Sequence, residues 1–335
     1  MKRYAKTIGV DVSKAKLDIY LMSEAGAKDA MHFVVPNTPK GMLSILKRIT
    51  ESGVPPEQLL FCFEHTGVYS MPLSLFLHAQ GVDYWMVPAI EIKRSKGLCR
   101  GKTDKNDARD IAHYALTQIH KLQLSTAPEK QLTQLRCLLA EREKIVKAIA
   151  LFTSTEEDVD FLPKDVLRPA LSINKKALTM LKKRLKEADA AIRVLVNAHT
   201  VMARQFNLAC SVPGVGPQTA LYLIAMTRCF SGFSSWRKLA CYAGIAPFEY
   251  SSGSSVRGRT KVSPLANKKL KSLFTMAALS AKKYDPEIKM YYERKRAEGK
   301  HVMSVMNAIR CKVVARVFAA INRDSPFVNT LKFAA

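Results

Sequence analysis

Cysteine is sparse and unpatterned in this sequence. The seven residues (Cys62, Cys99, Cys137, Cys210, Cys229, Cys241 and Cys311) are scattered, odd in number and form no CxxC pair. That excludes a zinc knuckle and offers no disulfide framework; small buried thiols in a reduced compartment fit better. No run of 18 apolar residues occurs, so no transmembrane helix is expected. The opening segment MKRYAKTIGVDV lacks the apolar core of a secretion signal. Basic residues do not line up opposite a Trp/Phe/Leu face, as a membrane-surface helix requires. A cytoplasmic location with no membrane partner is expected. Acidic residues are the third shortage: between Val201 and Tyr284 the only one is Glu249.

What is present is positive charge and a core. The 335 residues are 48% hydrophobic, enough for two or three domains. Lys and Arg number 53 against 28 Asp and Glu, a formal net charge of +25, which points to a polyanionic partner. Residues 201–335 hold 22 basic residues against 6 acidic ones, whereas residues 1–125 hold 17 against 12. The C-terminal third is therefore the main polyanion-binding surface, and the first third a mixed globular domain.

Periodicity divides the chain in three. In residues 1–125, TIGVDV, LDIYLM and MHFVVP read as three closely linked strands, followed by a helix near Lys40–Ser52, strand LLFCFE, a helix from about Tyr69 to Ala79, and strand VDYWMV. The order βββαβαβα, ending on an Asp-rich helix, is that of a ribonuclease H-like α/β domain. Residues 126–203 carry heptad seams, Leu132, Leu135, Leu139, Arg142, Val146 and Ile149, then Leu178, Leu181, Leu185, Ala188, Ile192 and Leu195. Pro163 and Pro169 separate them, so a helical hairpin or coiled coil is expected, packed on itself or on another copy. Residues 204–335 read as mostly helical, interrupted by the Gly/Ser-rich FEYSSGSSVRGRTKVSP.

Four carboxylates carry the chemistry. Asp11 follows the apolar run TIGV and Glu64 takes the matching place on LLFCFE; in α/β sheets function gathers beyond the C-terminal ends of strands. Asp104 and Asp107 are three apart on the first turn of a helix and share a face. Capping and dipole complementarity account for either aspartate singly. Four carboxylates converging from two strands and a helix repel unless a divalent cation neutralises them, and magnesium suits an all-oxygen shell. Asp110 is turned about 120° past Asp104 and is assigned to a Lys or Arg partner.

PGVGPQTA, Pro213–Ala220, reads as a helix-hairpin-helix turn or an ordinary Gly-Pro connection. Gly214 and Gly216 permit a tight turn, and the amides opening the next helix offer a sequence-independent phosphate contact. YSSGSSVRGRTKVS holds five serines among Arg257, Arg259 and Lys261; the plain reading is a flexible linker gripping phosphate by charge. Lys268 and Lys269 in NKKLKS, and YYERKR further on, are helix-borne basic runs that contact phosphate or face solvent.

GVDVSK, FEHTG and KTDKNDA resemble the signatures of insertion-sequence transposases with a RuvC-like DEDD domain, the family named one-ten and its eleven-eleven subgroup. The similarity continues through SVPGVGPQTA, LACYAGIAPFEYSSGSSVRGRTKVS and NKKLKSLF, leaving the middle helices least diagnostic. The resemblance implies a RuvC-like N-terminal domain whose Asp11, Glu64, Asp104 and Asp107 bind Mg2+ or Mn2+. It implies a transposase domain whose serine before Gly253, Ser252 here with Ser251 as the alternative, attacks DNA to form a phosphoserine link. It further implies a dimer or tetramer with composite active sites, and a structured bridge RNA that pairs with donor and target DNA. The alternatives are a RuvC-like Holliday-junction endonuclease that uses water, a noncatalytic nucleic-acid-binding protein, and an actin-like kinase. The first domain has no second glycine-rich phosphate loop, which counts against the last.

Overall fold

The computed structural model describes residues 4–23, 30–51, 53–97, 103–154, 163–252 and 256–329. The chain divides into two compact units, Met1–Pro128 and Glu129–Ala335.

The first unit is built on β1 (Lys6–Val12), β2 (Lys16–Met22), β3 (Met31–Pro36), α1 (Pro39–Thr50), β4 (Leu59–Glu64), α2 (Met71–Ala79), β5 (Asp83–Val87), α3 (Ala89–Ser95) and α4 (Asp104–Thr117). One sheet runs in the order β3-β2-β1-β4-β5. β1 pairs antiparallel with β2 and parallel with β4, the mixed order expected of a ribonuclease H-like sheet. β1 and β4 read as unbroken apolar runs because both sheet faces are covered. Ile8, Val10, Leu59, Phe61 and Phe63 share a core with Met42, Ile45 and Ile49 of α1 and Leu73 and Leu77 of α2. Alternation sends Leu60, Cys62, Trp85 and Val87 the other way, onto Ile111, Tyr114 and Ala115 of α4. The short α3, which the periodicity does not predict, is tied to α4 by the Tyr114 hydroxyl donating to Glu91 at 2.9 Å.

Gly9 sets how closely α4 approaches β1. A Cβ placed there would lie 2.1 Å from the Ala108 carbonyl oxygen and 2.3 Å from the Ala112 nitrogen. Both obstacles are backbone, so only glycine lets the helix sit this near the strand.

The second unit is helical apart from one β-ribbon. α5 (Lys130–Ser154) and α6 (Lys164–Asn197) form the expected hairpin. Arg142 holds the Asp189 carboxylate at 2.7 Å, one polar position that fixes the register of the pair. Pro169 does not separate the helices: it lies inside α6 near its start, where it forfeits one backbone hydrogen bond without stopping the helix. There follow α7 (Thr200–Cys210), α8 (Pro217–Thr227), α9 (Trp236–Tyr242), β6 (Pro247–Ser252), β7 (Val256–Val262), α10 (Lys268–Tyr284), α11 (Pro286–Ala297) and α12 (Val302–Arg323). One core joins Leu132, Leu135 and Leu139 of α5 and Ile192 and Val196 of α6 to Leu223, Phe274 and Val313 of α8, α10 and α12. The serine-rich segment is not a free linker. β6 and β7 pair antiparallel with Ser252 opposite Val256, because Phe248 and Tyr250, then Val256 and Val262, supply strand-forming residues on either side of the glycine.

Gly9→Ala is expected to push α4 off β1 and destabilise the first unit by about 2–3 kcal/mol. Urea unfolding followed at Trp85, with Trp236→Phe as background, measures it; an unchanged midpoint contradicts the close approach.

Candidate active site

Strand parity gathers the acids. On β1, Thr7, Gly9 and Asp11 face one way, and Gly9 faces α4, so Asp11 does too. On β4, Cys62 packs with α4 residues, and Glu64 two residues on shares that face. Val10 is paired with Phe63 across the parallel β1–β4 ladder, which sets Asp11 and Glu64 at the same end of neighbouring strands. Asp18 of β2 stands directly opposite Asp11 in the antiparallel register and is buried. From the other side α4 opens with Asp104 and Asp107. Its N-cap is Thr103, whose hydroxyl accepts from the Asn106 amide at 3.2 Å, so Asp104 is not the capping residue.

Charge records the convergence. Burial first, and then the charges of Asp107, Asp104, Asp18 and Glu64, push the Asp11 carboxyl up to about 6. Two lysines counter the aspartates. The Lys16 ammonium lies 2.7 Å from Asp104 and 3.0 Å from Asp18, and these hydrogen bonds raise its pKa. Lys96, just beyond α3, lies 2.8 Å from Asp107 and 3.2 Å from Asp110. Its desolvation is outweighed by those contacts, so it too is held protonated. Asp110 also lies 3.4 Å from Arg109. Lys16, Lys96 and Asp18 were not singled out from the sequence. Asp18 was findable by strand parity alone; that Lys16 also reaches Asp104, and Lys96 reaches Asp107 and Asp110, depends on tertiary packing and carried no local signal.

The donor set suits a hard divalent cation: all-oxygen, anionic and gathered on one face. As the side chains stand, no group of three His, Cys, Asp or Glu among the described residues is arranged to hold a metal. Asp104 and Asp107 rest on the lysine ammonium groups, which offset part of the cluster's negative charge.

The second unit places the remaining candidates apart from this cluster in sequence. Gly214 adopts φ +91°, and a Cβ there would meet the Ala277 carbonyl at 2.3 Å, so the turn between α7 and α8 is pressed onto α10. Gly216 needs no special backbone; it is the exposed N-cap of α8, with no side chain capping the helix. Ser251 and Ser252 end β6. The side chains of Ser252, Arg257, Arg259 and Lys261, and all of Gly253, lie outside the described residues. Lys268 is exposed, but Lys269 is drawn inward: its ammonium lies 3.1 Å from Glu143 of α5 and over the Tyr222 ring. The Tyr222 hydroxyl donates to the same Glu143 at 2.9 Å. Burial opposes ionisation of Glu143, yet these bonds lower its carboxyl to about 2.

Residues 8–154 match the DEDD transposase family of IS110 type, described as Transposase, and residues 207–293 match the Transposase IS116/IS110/IS902 family. The pilin gene-inverting protein of Moraxella lacunata is 25% identical over 96% of this chain and 97% of its own. The Insertion element IS110 uncharacterized 43.6 kDa protein of Streptomyces coelicolor is 30% identical over 50% of this chain and 39% of its own. T. thermophilus RuvC, solved in complex with Holliday junction substrate, overlaps 36% of this chain and 100% of its own at a TM-score of 0.27 and 12% identity, a likeness too slight to weigh.

Asp11→Asn removes a carboxylate whose folded-state pKa lies above its unfolded value. Below about pH 4 the substitution leaves stability unchanged, since both states hold the proton. Its benefit grows from pH 4 to about 6 and is constant above, reaching about 1 kcal/mol after allowance for the half-exposed site. Thermal melts in chelator across that range measure it. Lys96→Ala is expected to tighten Mn2+ binding roughly tenfold and to lower the melting temperature in chelator. Titration calorimetry reads the first effect; unchanged affinity contradicts the competition.

Proposed function

The chain belongs to the DEDD transposases of the IS110/IS116/IS902 family and is a DNA transposase or recombinase, and on that premise we propose that it breaks and rejoins DNA through a phosphoserine intermediate at Ser252. The observation that carries the proposal is the convergence of Asp11, Glu64, Asp104 and Asp107 on one sheet face, felt in the raised pKa of Asp11. Asp11, Glu64, Asp104 and Asp107 would hold Mg2+, with Mn2+ a substitute. A cation there supplies positive charge to the scissile phosphate and to the leaving oxygen.

The Ser252 hydroxyl attacks phosphorus, forming an O–P ester as the bond from phosphorus to the departing sugar oxygen breaks. The serine proton passes to a carboxylate of the cluster, and a proton returns to the sugar oxygen. A DNA hydroxyl then attacks the phosphoserine, restoring a phosphodiester and freeing the serine. The ester conserves the energy that hydrolysis discards, so ends are rejoined without an external energy source. The relative named for inverting a gene matches along 96% of this chain, which supports cutting followed by rejoining over cutting alone. Arg257, paired with Ser251 across the β-ribbon, and Arg259, two residues on along β7, are assigned to the phosphate charge. Lys261, Lys268 and the N-terminus of α8 at Gly214–Gly216 are assigned to backbone contacts. Lys269, tied to Glu143, is assigned a weaker share.

The assembly is a homo-oligomer whose sites take acids from one chain and serine from another. A structured guide RNA chooses the target by base pairing, so this chain needs few base-reading side chains.

With magnesium, the DNA of its element's end and the adjoining noncoding RNA, the protein is expected to yield a DNA-linked peptide containing Ser252 in mass spectrometry. Ser252→Ala abolishes it, and Asp11→Ala lowers it by at least a hundredfold. Mixed together, the two variants regain part of the activity through composite sites. Cleavage with no adduct identifies water as the nucleophile and a resolvase-like endonuclease instead.

A further inference from the structure

A cavity of about 260 Å3 opens in the second unit where α6, α7 and α8 meet, and the phosphoserine chemistry makes no use of it. Ile192 and Val196 of α6, Phe206 of α7, and Pro217 and Leu221 of α8 line it with apolar surface. Asp189, Arg193, Asn197 and Gln218 supply its polar groups. The volume is small beside the cavities of about 300–1,000 Å3 that take drug-sized ligands or whole cofactors. It suits a single flat ring system.

The polar groups select the kind of ring. Gln218 has a buried side-chain oxygen with no hydrogen-bond partner. A buried acceptor left unbonded is costly, and a turn of the amide plane offers a guest either that oxygen or the amide N–H groups. Arg142 donates to one oxygen of Asp189 at 2.7 Å. A phosphate drawn inside would still meet that carboxylate, whereas the amine and ring N–H groups of a nucleobase would donate to it. Asn197, the exposed last residue of α6, adds an amide that both donates and accepts. Unpaired bases are held in this way, stacked on an aromatic or apolar side chain and hydrogen-bonded along the pairing edge.

The cavity's place agrees with its chemistry. Pro217 and Gln218 are the first two residues of α8, so the cavity begins where the turn at Gly214 and Gly216 ends. Gly216 is exposed, a Cβ there would meet nothing within 4 Å, and no side chain caps the helix. A phosphate resting on the opening amides of α8 leaves the base of the same nucleotide within reach of the cavity. Arg193, exposed on α6, is placed for a neighbouring phosphate.

We propose that this cavity captures one unpaired nucleobase from a strand whose backbone is held at the start of α8, with Phe206 stacking on the ring and Gln218 and Asn197 bonding its edge. An opened DNA strand and an RNA bulge present the same chemistry, and the test separates them. The proposal rests on the reading that the α7–α8 turn contacts nucleic-acid backbone, and is independent of the phosphoserine step.

Fluorescence anisotropy in chelator, where no strand is cut, compares a labelled DNA duplex holding one bulged nucleotide with the same duplex whose bulge is abasic. An RNA pair of the same sequence forms the second arm. The full chain is expected to bind the base-bearing bulge about tenfold tighter than the abasic one in at least one arm, and that arm identifies the source. Gln218→Leu, which removes the edge contact at similar volume, and Asn197→Trp, which fills the mouth, each cut the preference to about threefold or less. The preference is a ratio within one protein; a variant that fails to fold binds neither probe, and the other variant then decides. A thiolated thymine or uracil at the bulge is expected to cross-link under near-ultraviolet light to a peptide containing Phe206 or Gln218. Equal affinity for base-bearing and abasic bulges in both arms, a preference that survives both substitutions, or cross-links confined to peptides that line no part of the cavity each overturns the proposal. Duplex binding with no bulge preference sinks the cavity alone; no binding to any probe sinks the reading of the turn with it.

Discussion

Mutual repulsion among carboxylates is the constraint on which the first unit turns. Asp11, Asp18, Glu64, Asp104 and Asp107 come from three strands and a helix, and burial first, then the charges of the other four, push the Asp11 carboxyl up to about 6. Nothing favourable in folding draws like charges together; apolar packing has to force them. Leu60, Cys62, Trp85 and Val87 against Ile111, Tyr114 and Ala115 supply the force, each fully buried large side chain contributing about 1.5–3 kcal/mol. Gly9 lets α4 come within backbone contact of β1, so the acids on that helix reach those on the strands. Lys16 and Lys96 then relieve part of the charge. A domain selected only for stability would replace the acids; this one keeps them and compensates.

Much of this was legible in the sequence, for identifiable reasons. β1 and β4 are doubly covered strands, and doubly covered strands read as apolar runs with a carboxylate at the edge. Asp104 and Asp107 share a face by helical geometry alone. What was not legible depends on contacts between distant segments. Lys96 reaches Asp107 and Asp110 only because α3 packs beside α4, and α3 is too short to leave a periodic trace. The β6–β7 ribbon was hidden by its glycine and serines, which read as linker composition; its alternation of Phe248, Tyr250 and Val256, Val262 is a weaker signal than the punctuation around it. Pro169 misled as a separator because proline near a helix start costs one hydrogen bond rather than the helix. Lys269 looked like a phosphate contact from charge alone, yet Glu143 and Tyr222 claim it.

The two units divide electrostatic labour. The first is nearly balanced, 17 basic residues against 12 acidic over residues 1–125, while the C-terminal third carries 22 against 6. An acidic cluster set in a strongly basic domain would be neutralised by its surroundings and would bind a cation weakly. Keeping it on a separate balanced unit preserves the local negative charge a divalent ion needs, and leaves the basic third to meet phosphate.

Symmetry links that division to the proposed chemistry. Exchanging ends between two DNA duplexes breaks strands in even number, so the catalyst needs matched sites that act together. If each site takes its acids from one chain and its serine from another, a lone chain holds two halves of different sites and cuts nothing, which guards the genome against unpaired breaks. A two-fold interface generates such sites in pairs, because each contact is made twice.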